Sequence, residues 1–393
     1  MKKIIILSPG LFQKRDYDRF GIEILRKNFF TKVLDFTAWF HPDFWKEESK
    51  NVFQCEEYVP ITKKLDFINF NTGKDSIIVI DCLIKNRKTN WVRKQLKKRN
   101  SIFVDCNFNL LPEEKNNIIE LLKKSIKLII IPKQFFFNFF KFFEKKYYSL
   151  IKTYPADILV LGGTTTLKES KVKNKIFAHS MDYDIYLNLR NRPTNNKDSY
   201  AVFLDEDMVN HSDYILQNYN SPVSEFQYYP ILVQFLKKFE ITTGLKVKFS
   251  IHPKSRIKNL EKYLKDFDLS VGKTAELVKD SSLVLLHLTT SISYAILFKK
   301  PVIFLTSDEL KRSWIGNRIT NFSKVLNSKL INMSNSSNYD FNMKDLSNFD
   351  KFKYQEYVDQ YLKVPNSPDI PLWEIFTENI KNLQRQKQIK LIQ

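Results

Sequence analysis

The sequence predicts an α/β protein built on parallel sheets, and the stretch 246–306 carries the clearest signs. Three short apolar runs, at 247–251, 283–288 and 302–305, are nearly continuous and rich in Val, Ile, Leu and Phe. Runs of this kind are typical of strands that are buried on both faces of a parallel sheet. Helical patterns separate the runs, and this alternation favours βαβ units.

The first half of the chain shows the same alternation. Buried strands are predicted at 3–7, 32–36, 76–80, 101–104, 128–131 and 157–161. Helices are predicted at 20–30, 88–99 and 112–124. The segment 175–187 alternates enough to predict a strand pair or an edge strand. The polar stretch 188–199 has no apolar periodicity and predicts a linker, after which a strand restarts at 200–204.

Length and composition limit the class of protein. A chain of 393 residues suits two domains, and 43% hydrophobic with 27% charged residues is the balance of a globular protein. The net charge of +20 should attract polyanions such as an anionic membrane surface or a phosphorylated ligand. No nucleic-acid-binding motif is visible, so we expect no nucleic-acid partner.

The cysteines and the N-terminus point to the cytoplasm. Cys55, Cys82 and Cys106 are an odd and widely spaced set, which gives no disulfide framework and no metal-binding pattern. The first apolar run stops after Leu7, which is too short for a signal peptide. We therefore expect a cytoplasmic protein, in possible peripheral contact with the inner face of the cytoplasmic membrane.

Polar side chains follow the predicted strands of the second half. His252-Pro253-Lys254 follows the run at 247–251, and Thr289-Thr290-Ser291 follows the run at 283–288. Gly272-Lys273-Thr274 opens the helix between these two runs. In open α/β sheets ligands bind beyond the carboxyl ends of the strands. Helix N-termini offer free N–H groups and a positive dipole end to a phosphate. The three motifs together predict a site for a nucleoside monophosphate or diphosphate.

An acidic motif, Asp205-Glu206-Asp207, follows the strand predicted at 200–204. A carboxylate beside a cleft suits the base that takes a proton from an acceptor hydroxyl. Asp205 is the first candidate because it lies at the strand end. Glu206 or Asp207 could hold the role instead, and at least one of the three is expected to be structural. His252 could donate to a leaving phosphate, as a general acid or as a simple hydrogen-bond donor.

These motifs resemble those of bacterial GT-B glycosyltransferases that build surface polysaccharides. The resemblance is closest to sialyltransferases and Kdo transferases that use CMP-activated sugars, which carry an acidic, a His-Pro and a Ser/Thr motif. Asp205-Glu206-Asp207, His252-Pro253 and Thr289-Thr290-Ser291 occupy these roles here. The acidic motif of the sialyltransferases usually ends in Gly, where this chain has Asp207 and Met208. Their hydroxyl pair is usually two serines, where this chain has two threonines.

The resemblance implies an α/β GT-B fold, in which two Rossmann-like domains with parallel sheets face a central cleft. We expect an acceptor-binding domain at 1–190, a nucleotide-sugar-binding domain at 199–365 and a C-terminal helix at 366–393 that crosses back to the first domain. The resemblance also implies an inverting transfer without a bound metal, and no cofactor apart from the nucleotide-sugar donor.

The implied donor is a CMP-activated acidic sugar, such as a sialic acid, a related nonulosonate or Kdo. The implied acceptor is a surface glycan or a lipid-linked glycan, as in lipopolysaccharide or capsule synthesis. Three alternatives stay open: a transferase that uses UDP- or GDP-sugars, a nucleotide-sugar epimerase or hydrolase of the same fold, and a non-catalytic binding protein.

The segment 133–154 is dense in phenylalanine, especially at 135–143, and lysines flank it. One interpretation is a core helix. The other is an interfacial helix with its aromatic side chains among lipid headgroups and its lysines on anionic lipid. A transferase that acts on a lipid-linked acceptor would gain from such a docking segment.

Overall fold

The computed structural model describes residues 3–390 with the exception of 9, 72, 74–75, 85, 109, 113–153, 168–169, 195–198, 212–213, 215–219, 254, 256 and 339–340. The strand predicted at 128–131, the phenylalanine-rich segment and Lys254 therefore lie outside the described residues, as does the helix predicted at 112–124 beyond its first position.

Two parallel sheets organise the described part of the chain. The first is built from β1 Lys3–Ser8, β2 Phe30–Asp35, β3 Tyr58–Pro60, β4 Ile77–Asp81, β5 Ser101–Asn107, β6 Ile158–Leu161 and β7 Asn174–Phe177. The second is built from β8 Tyr200–Leu204, β9 Lys246–Ile251, β10 Asp268–Val271, β11 Leu283–Leu286, β12 Val302–Thr306 and β13 Lys329–Asn332. Their strand orders are β3-β2-β1-β4-β5-β6-β7 and β10-β9-β8-β11-β12-β13. The predicted α/β class with two parallel sheets is confirmed.

Helices connect the strands in each half. Those of the first half are Lys14–Arg19, Ile22–Asn28, Thr37–Phe40, Pro42–Glu48, Lys64–Asn69 and Arg87–Lys97. Those of the second half are Met181–Leu189, Glu225–Thr243, Ile257–Leu264, Thr274–Asp280, Ile292–Leu297, Asp308–Arg312, Gly316–Val325, Met343–Leu346, Lys351–Tyr357, the π-helix Val358–Leu362 and Leu372–Lys390. Within the described ranges, none of these helices is long and apolar enough to cross a bilayer.

Both faces of the first sheet are covered, which explains its continuous apolar runs. Ile4 and Ile6 of β1 pack in one cluster with Leu25, whereas the alternate residues Ile5 and Leu7 pack in another cluster on the opposite face. Successive side chains of a strand point to opposite faces, so every position of such a strand must be apolar.

One sequence prediction is wrong in part. The segment 175–187 begins with the edge strand β7, as one of the two alternatives predicts, and then forms the helix Met181–Leu189 where the other alternative predicts a second strand. Asp182 and Asp184 lie in the first turn of this helix, where carboxylates are favoured by the helix dipole. The alternation of apolar and polar residues is therefore a consequence of acidic residues at a helix N-terminus.

The chain returns from the second sheet to the first through residues 358–372. The backbone N–H of Thr164 donates to Asp359 O at 3.0 Å, and that of Val364 donates to Ala178 O at 2.9 Å. A Cβ atom on Gly163 would collide with the backbone of Gln360, so this close approach requires glycine. The loop after β6 therefore serves as a docking point for the returning chain.

The helix Leu372–Lys390 then packs on the first sheet. Trp373 is fully buried, and its Nε1–H donates to Arg19 O at 2.7 Å. Phe376 and Ile380 join the cluster that contains Leu25. The C-terminal helix thus completes the core of the N-terminal half.

We expect the substitution Trp373→Ala to lower the free energy of unfolding by about 3–5 kcal/mol, since it leaves a cavity in this core. Urea denaturation followed by circular dichroism measures the change. The control is Phe352→Ala, because Phe352 is 75% exposed and its removal should cost less than about 0.5 kcal/mol. Equal effects of the two substitutions would contradict the packing role of Trp373.

Candidate functional site

Three of the predicted motifs meet at one edge of the second sheet: the acidic motif 205–207, His252-Pro253 and Thr289-Thr290-Ser291. In the strand order, β8 lies between β9 and β11. Because the strands are parallel, their carboxyl ends lie at the same edge. The acidic motif after β8 therefore lies between His252, which follows β9, and Thr289-Thr290-Ser291, which follows β11.

The carboxylate of Asp205 joins the end of β8 to the end of β9. Its Oδ2 accepts the backbone N–H of His252 at 3.1 Å and the hydroxyl of Ser255 at 3.4 Å, and its Oδ1 accepts the N–H of Asp207 at 3.1 Å. Burial raises the pKa of Asp205 to about 6, against the lowering effect of the His252 N–H. The side chain thus changes charge just below neutral pH.

The carboxylate of Glu206 joins β8 to β11 on the other side. Its Oε1 accepts two successive backbone N–H groups, from His287 at 3.0 Å and from Leu288 at 2.9 Å. Its Oε2 is buried and has no hydrogen-bond partner among the described residues. Burial raises the pKa of Glu206 well above its usual range.

Asp207 ends the acidic motif in a left-handed conformation, with φ of +49°. It is buried, and its Oδ1 accepts the N–H of Asn210 at 3.3 Å. The left-handed region is open to glycine without strain, and aspartate is one of the few other residues that enter it readily.

Two hydroxyls of the Thr289-Thr290-Ser291 turn remain available to a ligand. Thr289 Oγ1 accepts the N–H of Ser291 at 3.2 Å and so shapes the turn itself. The side chains of Thr290 and Ser291 are half-buried, and among the described residues none forms a hydrogen bond with their hydroxyls. The helix Ile292–Leu297 follows directly.

The remaining predicted residues lie along the same edge. Pro253 is exposed, as are Gly272 and Lys273 at the carboxyl end of β10, the strand next to β9. Gly272 has φ of +74°, which suits glycine. Thr274 Oγ1 lies 2.7 Å from Ser250 Oγ of β9 and so holds this motif against the sheet.

A second imidazole accompanies His252. The ring centroids of His211 and His252 are 4.6 Å apart, and Tyr214 and Trp314 continue the row of rings. Trp314 is 45% exposed. In the sequence His211 lies four positions after Asp207.

Sequence reasoning missed two buried polar residues next to the site. The imidazole of His287 lies 2.8 Å from Leu305 O through Nδ1 and 2.9 Å from the Tyr228 hydroxyl through Nε2. A carbonyl oxygen can only accept, so Nδ1 carries the proton and Nε2 accepts from Tyr228. Burial lowers the pKa of His287 to about 4, so the ring is neutral at pH 7. The sequence signal that could have identified His287 is its position inside an apolar run, just before Thr289-Thr290-Ser291.

A buried carboxylate links the first half of the chain to the helix after the hydroxyl turn. Asp182 forms an ion pair with Arg19 of the first half. It also accepts the hydroxyl of Ser293 at 2.6 Å and that of Tyr294 at 3.1 Å. Asp182 is only 1% exposed, so this junction is shielded from water.

Side chains that can bind a metal do not gather at one place within the described residues. In the part of the chain that the structure describes, no group of three or more His, Cys, Asp or Glu side chains is placed to hold a metal ion.

Comparisons with known proteins establish the fold. No family model matches the chain, and no curated protein matches it significantly. A structure of S. aureus MnaA with UDP matches with a TM-score of 0.51 and 12% identity over 98% of this chain and 97% of that one. Two further matches are the Methanocaldococcus jannaschii UDP-GlcNAc 2-epimerase (TM-score 0.45, 13% identity, covering 98% and 100%) and the wall teichoic acid polymerase TagF (0.47, 14%, 98% and 90%).

The predicted GT-B fold is confirmed by the match to MnaA together with the two parallel sheets. At such low identity the likeness shows the fold alone. The activity and the ligands are therefore argued from the residues of the site.

We expect Asp182→Asn to lower the free energy of unfolding by about 3 kcal/mol, because it breaks a largely buried ion pair. Chemical denaturation measures the loss. Asp18→Asn is the matched control, since the Lys14–Asp18 pair is exposed and should contribute about 0–1 kcal/mol. An Asp182 variant as stable as the Asp18 variant would show that the junction does not stabilise the fold.

Proposed function

We propose that the protein is a GT-B glycosyltransferase that binds a nucleotide sugar at the carboxyl edge of the second sheet. The observation that carries this proposal is that the acidic motif, His252-Pro253 and Thr289-Thr290-Ser291 lie at the same edge of the sheet. The acidic motif accepts the N–H of His252 on one side and that of Leu288, just before Thr289, on the other. The acidic motif thus binds the backbone at the ends of both neighbouring strands and holds His252 and the turn at 289–291 at the same edge of the sheet, where ligands bind in open α/β folds.

The donors for the phosphate are the imidazole of His252 and the hydroxyls of Thr290 and Ser291. In the inverting reaction the acceptor oxygen attacks the anomeric carbon and the bond from that carbon to the phosphate oxygen breaks. Negative charge then develops on the leaving phosphate, and placed donors stabilise it. Lys273 and Lys254, from the neighbouring motifs, are the proposed counter-charges.

Asp205 is the proposed base for the acceptor hydroxyl. Its pKa of about 6 suits a group that must be ionised near neutral pH and still bind a proton. The hydrogen bonds from His252, Ser255 and Asp207 use three of the about four lone-pair directions that a carboxylate offers, which leaves one for the acceptor hydroxyl. Asp207 and Glu206 are the other carboxylates of the motif.

The proposed donor is a CMP-activated acidic sugar, and what supports it is the resemblance of the three motifs to those of the sialyltransferases. The proposed acceptor is a surface or lipid-linked glycan. The net charge of +20 fits an anionic acceptor and a peripheral contact with an anionic membrane. We propose no metal and no cofactor beyond the nucleotide sugar.

A UDP- or GDP-sugar donor and an epimerase or hydrolase activity are the alternatives. The M. jannaschii protein of similar fold is a UDP-GlcNAc 2-epimerase, and MnaA was solved with UDP. Incubation of this protein with a nucleotide sugar and no acceptor separates the classes. An epimerase or hydrolase consumes or isomerises the donor alone, whereas a transferase leaves it largely intact.

We expect CMP at 100 times its dissociation constant to stabilise the protein by about 2.7 kcal/mol, visible as a higher unfolding temperature. UDP and GDP at the same concentration are the comparison. A larger shift with UDP would select the alternative donor, and no shift with any of the three nucleotides would contradict the proposed site.

We expect the rate of transfer to fall about tenfold per pH unit below pH 6, because Asp205 becomes protonated there. The measurement is the pH dependence of kcat/KM. Asp205→Asn should lower kcat by about 10²–10⁴-fold at pH 7 and remove this acidic limb. An acidic limb that persists in a still-active Asn variant would assign the base to another group.

A further inference from the structure

We infer that Glu206, together with His287 and Tyr228, is a positioning residue that fixes the hydroxyl turn at 289–291, and that it exchanges no proton with the substrate. The inference rests on the proposed function, because it concerns the phosphate-binding hydroxyls of that same site. It separates the roles of two adjacent carboxylates, Asp205 and Glu206, which the sequence alone leaves interchangeable.

The first step concerns the backbone that leads into the turn. Strand β11 ends at Leu286, and the N–H groups of His287 and Leu288 both point to one atom, Oε1 of Glu206. Two successive N–H groups that share one acceptor have their peptide planes fixed relative to it. The chain therefore leaves the sheet in a set direction immediately before Thr289.

The second step concerns the side chain of His287, which is held from two further elements. Its Nδ1–H donates to Leu305 O on β12, and its Nε2 accepts from Tyr228 of the helix Glu225–Thr243. The residue is thus fixed through its backbone by Glu206 and through its ring by Leu305 and Tyr228. Three elements converge on the one residue that precedes the hydroxyl turn by two positions.

The third step concerns access. Oε1 of Glu206 is occupied by the two N–H groups, its Oε2 is buried without a hydrogen-bond partner among the described residues, and His287 is fully buried. A general base must reach the proton that it takes, directly or through one water. Burial raises the pKa of Glu206 well above its usual range, and Nε2 of His287 already accepts the hydroxyl of Tyr228, so its lone pair is occupied.

The fourth step concerns what the network achieves. Thr290 and Ser291 present hydroxyls that no described residue engages, and their usefulness to a phosphate depends on where the turn places them. Displacement of a binding group by about 1 Å is enough to weaken catalysis severely. The buried network of Glu206, His287 and Tyr228 sets this placement.

The test compares Glu206→Ala with Glu206→Gln. The amide oxygen of Gln can accept both N–H groups, whereas Ala leaves them without a partner. We expect Glu206→Ala to raise the Kd for the nucleotide and the KM for the donor about tenfold or more, with a smaller change in kcat. Glu206→Gln should restore most of the lost affinity and keep the pH profile of the wild-type protein. If instead Glu206→Gln loses kcat by about 10²–10⁴-fold, Glu206 is the base and the inference is wrong.

Tyr228 offers a second test with a matched control on the same helix. Tyr228→Phe removes the donor to His287 Nε2, whereas Tyr229→Phe removes a buried hydroxyl that has no hydrogen-bond partner in the described structure. We expect the first change to raise the nucleotide Kd about fivefold and the second to leave it within about twofold. Equal Kd values for the two variants would overturn the proposed role of His287.

Isothermal titration of the full chain with CMP, UDP and GDP provides the Kd values, and circular dichroism checks that each variant is folded. If the wild-type protein binds none of the three nucleotides, the proposed function falls and this inference falls with it. If the wild type binds one of them and Glu206→Ala binds it equally well, only the positioning role is overturned.

Discussion

The site depends on how the N–H groups just beyond the ends of β9 and β11 are satisfied. A parallel strand that ends leaves the next N–H without a ladder partner, and such a group is costly to bury. In the second sheet the acceptors are two buried carboxylates that directly follow β8. Asp205 accepts the N–H of His252, and Glu206 accepts those of His287 and Leu288. The cost of burying these carboxylates appears in their raised pKa values.

The sequence predicted the interior of the fold well and its borders poorly. Strands such as β1, β4, β8 and β12 are covered on both faces, so an unbroken apolar run identifies them. The outermost strands β10 and β13, in contrast, are half-exposed and contain charged residues such as Asp268 and Lys329. Their strand conformation comes from pairing with β9 and β12, which is a tertiary effect that no local pattern reports.

The same distinction applies to the site. The three motifs could be predicted because each lies at the end of an apolar run, where the chain returns to polar residues. His287 and Tyr228 could not, because they are 59 positions apart and their role exists only once the fold brings them together. The left-handed backbone of Asp207 was likewise invisible, since aspartate accepts several conformations and the sequence shows only that glycine is missing.

The contacts of Asp182 restrict how the first half of the protein can move relative to the second. Ser293 and Tyr294 belong to the helix that begins directly after Ser291, and both donate to the carboxylate that pairs with Arg19 of the first half. Glu206 therefore fixes the backbone that precedes the hydroxyl turn, and the contact of Ser293 and Tyr294 with Asp182 fixes the helix that follows it. Any shift of the first half relative to the second must either break a buried ion pair or move this helix with it. Thr290 and Ser291 lie directly before that helix, so the position of the turn at 289–291 depends on the contact between the two halves.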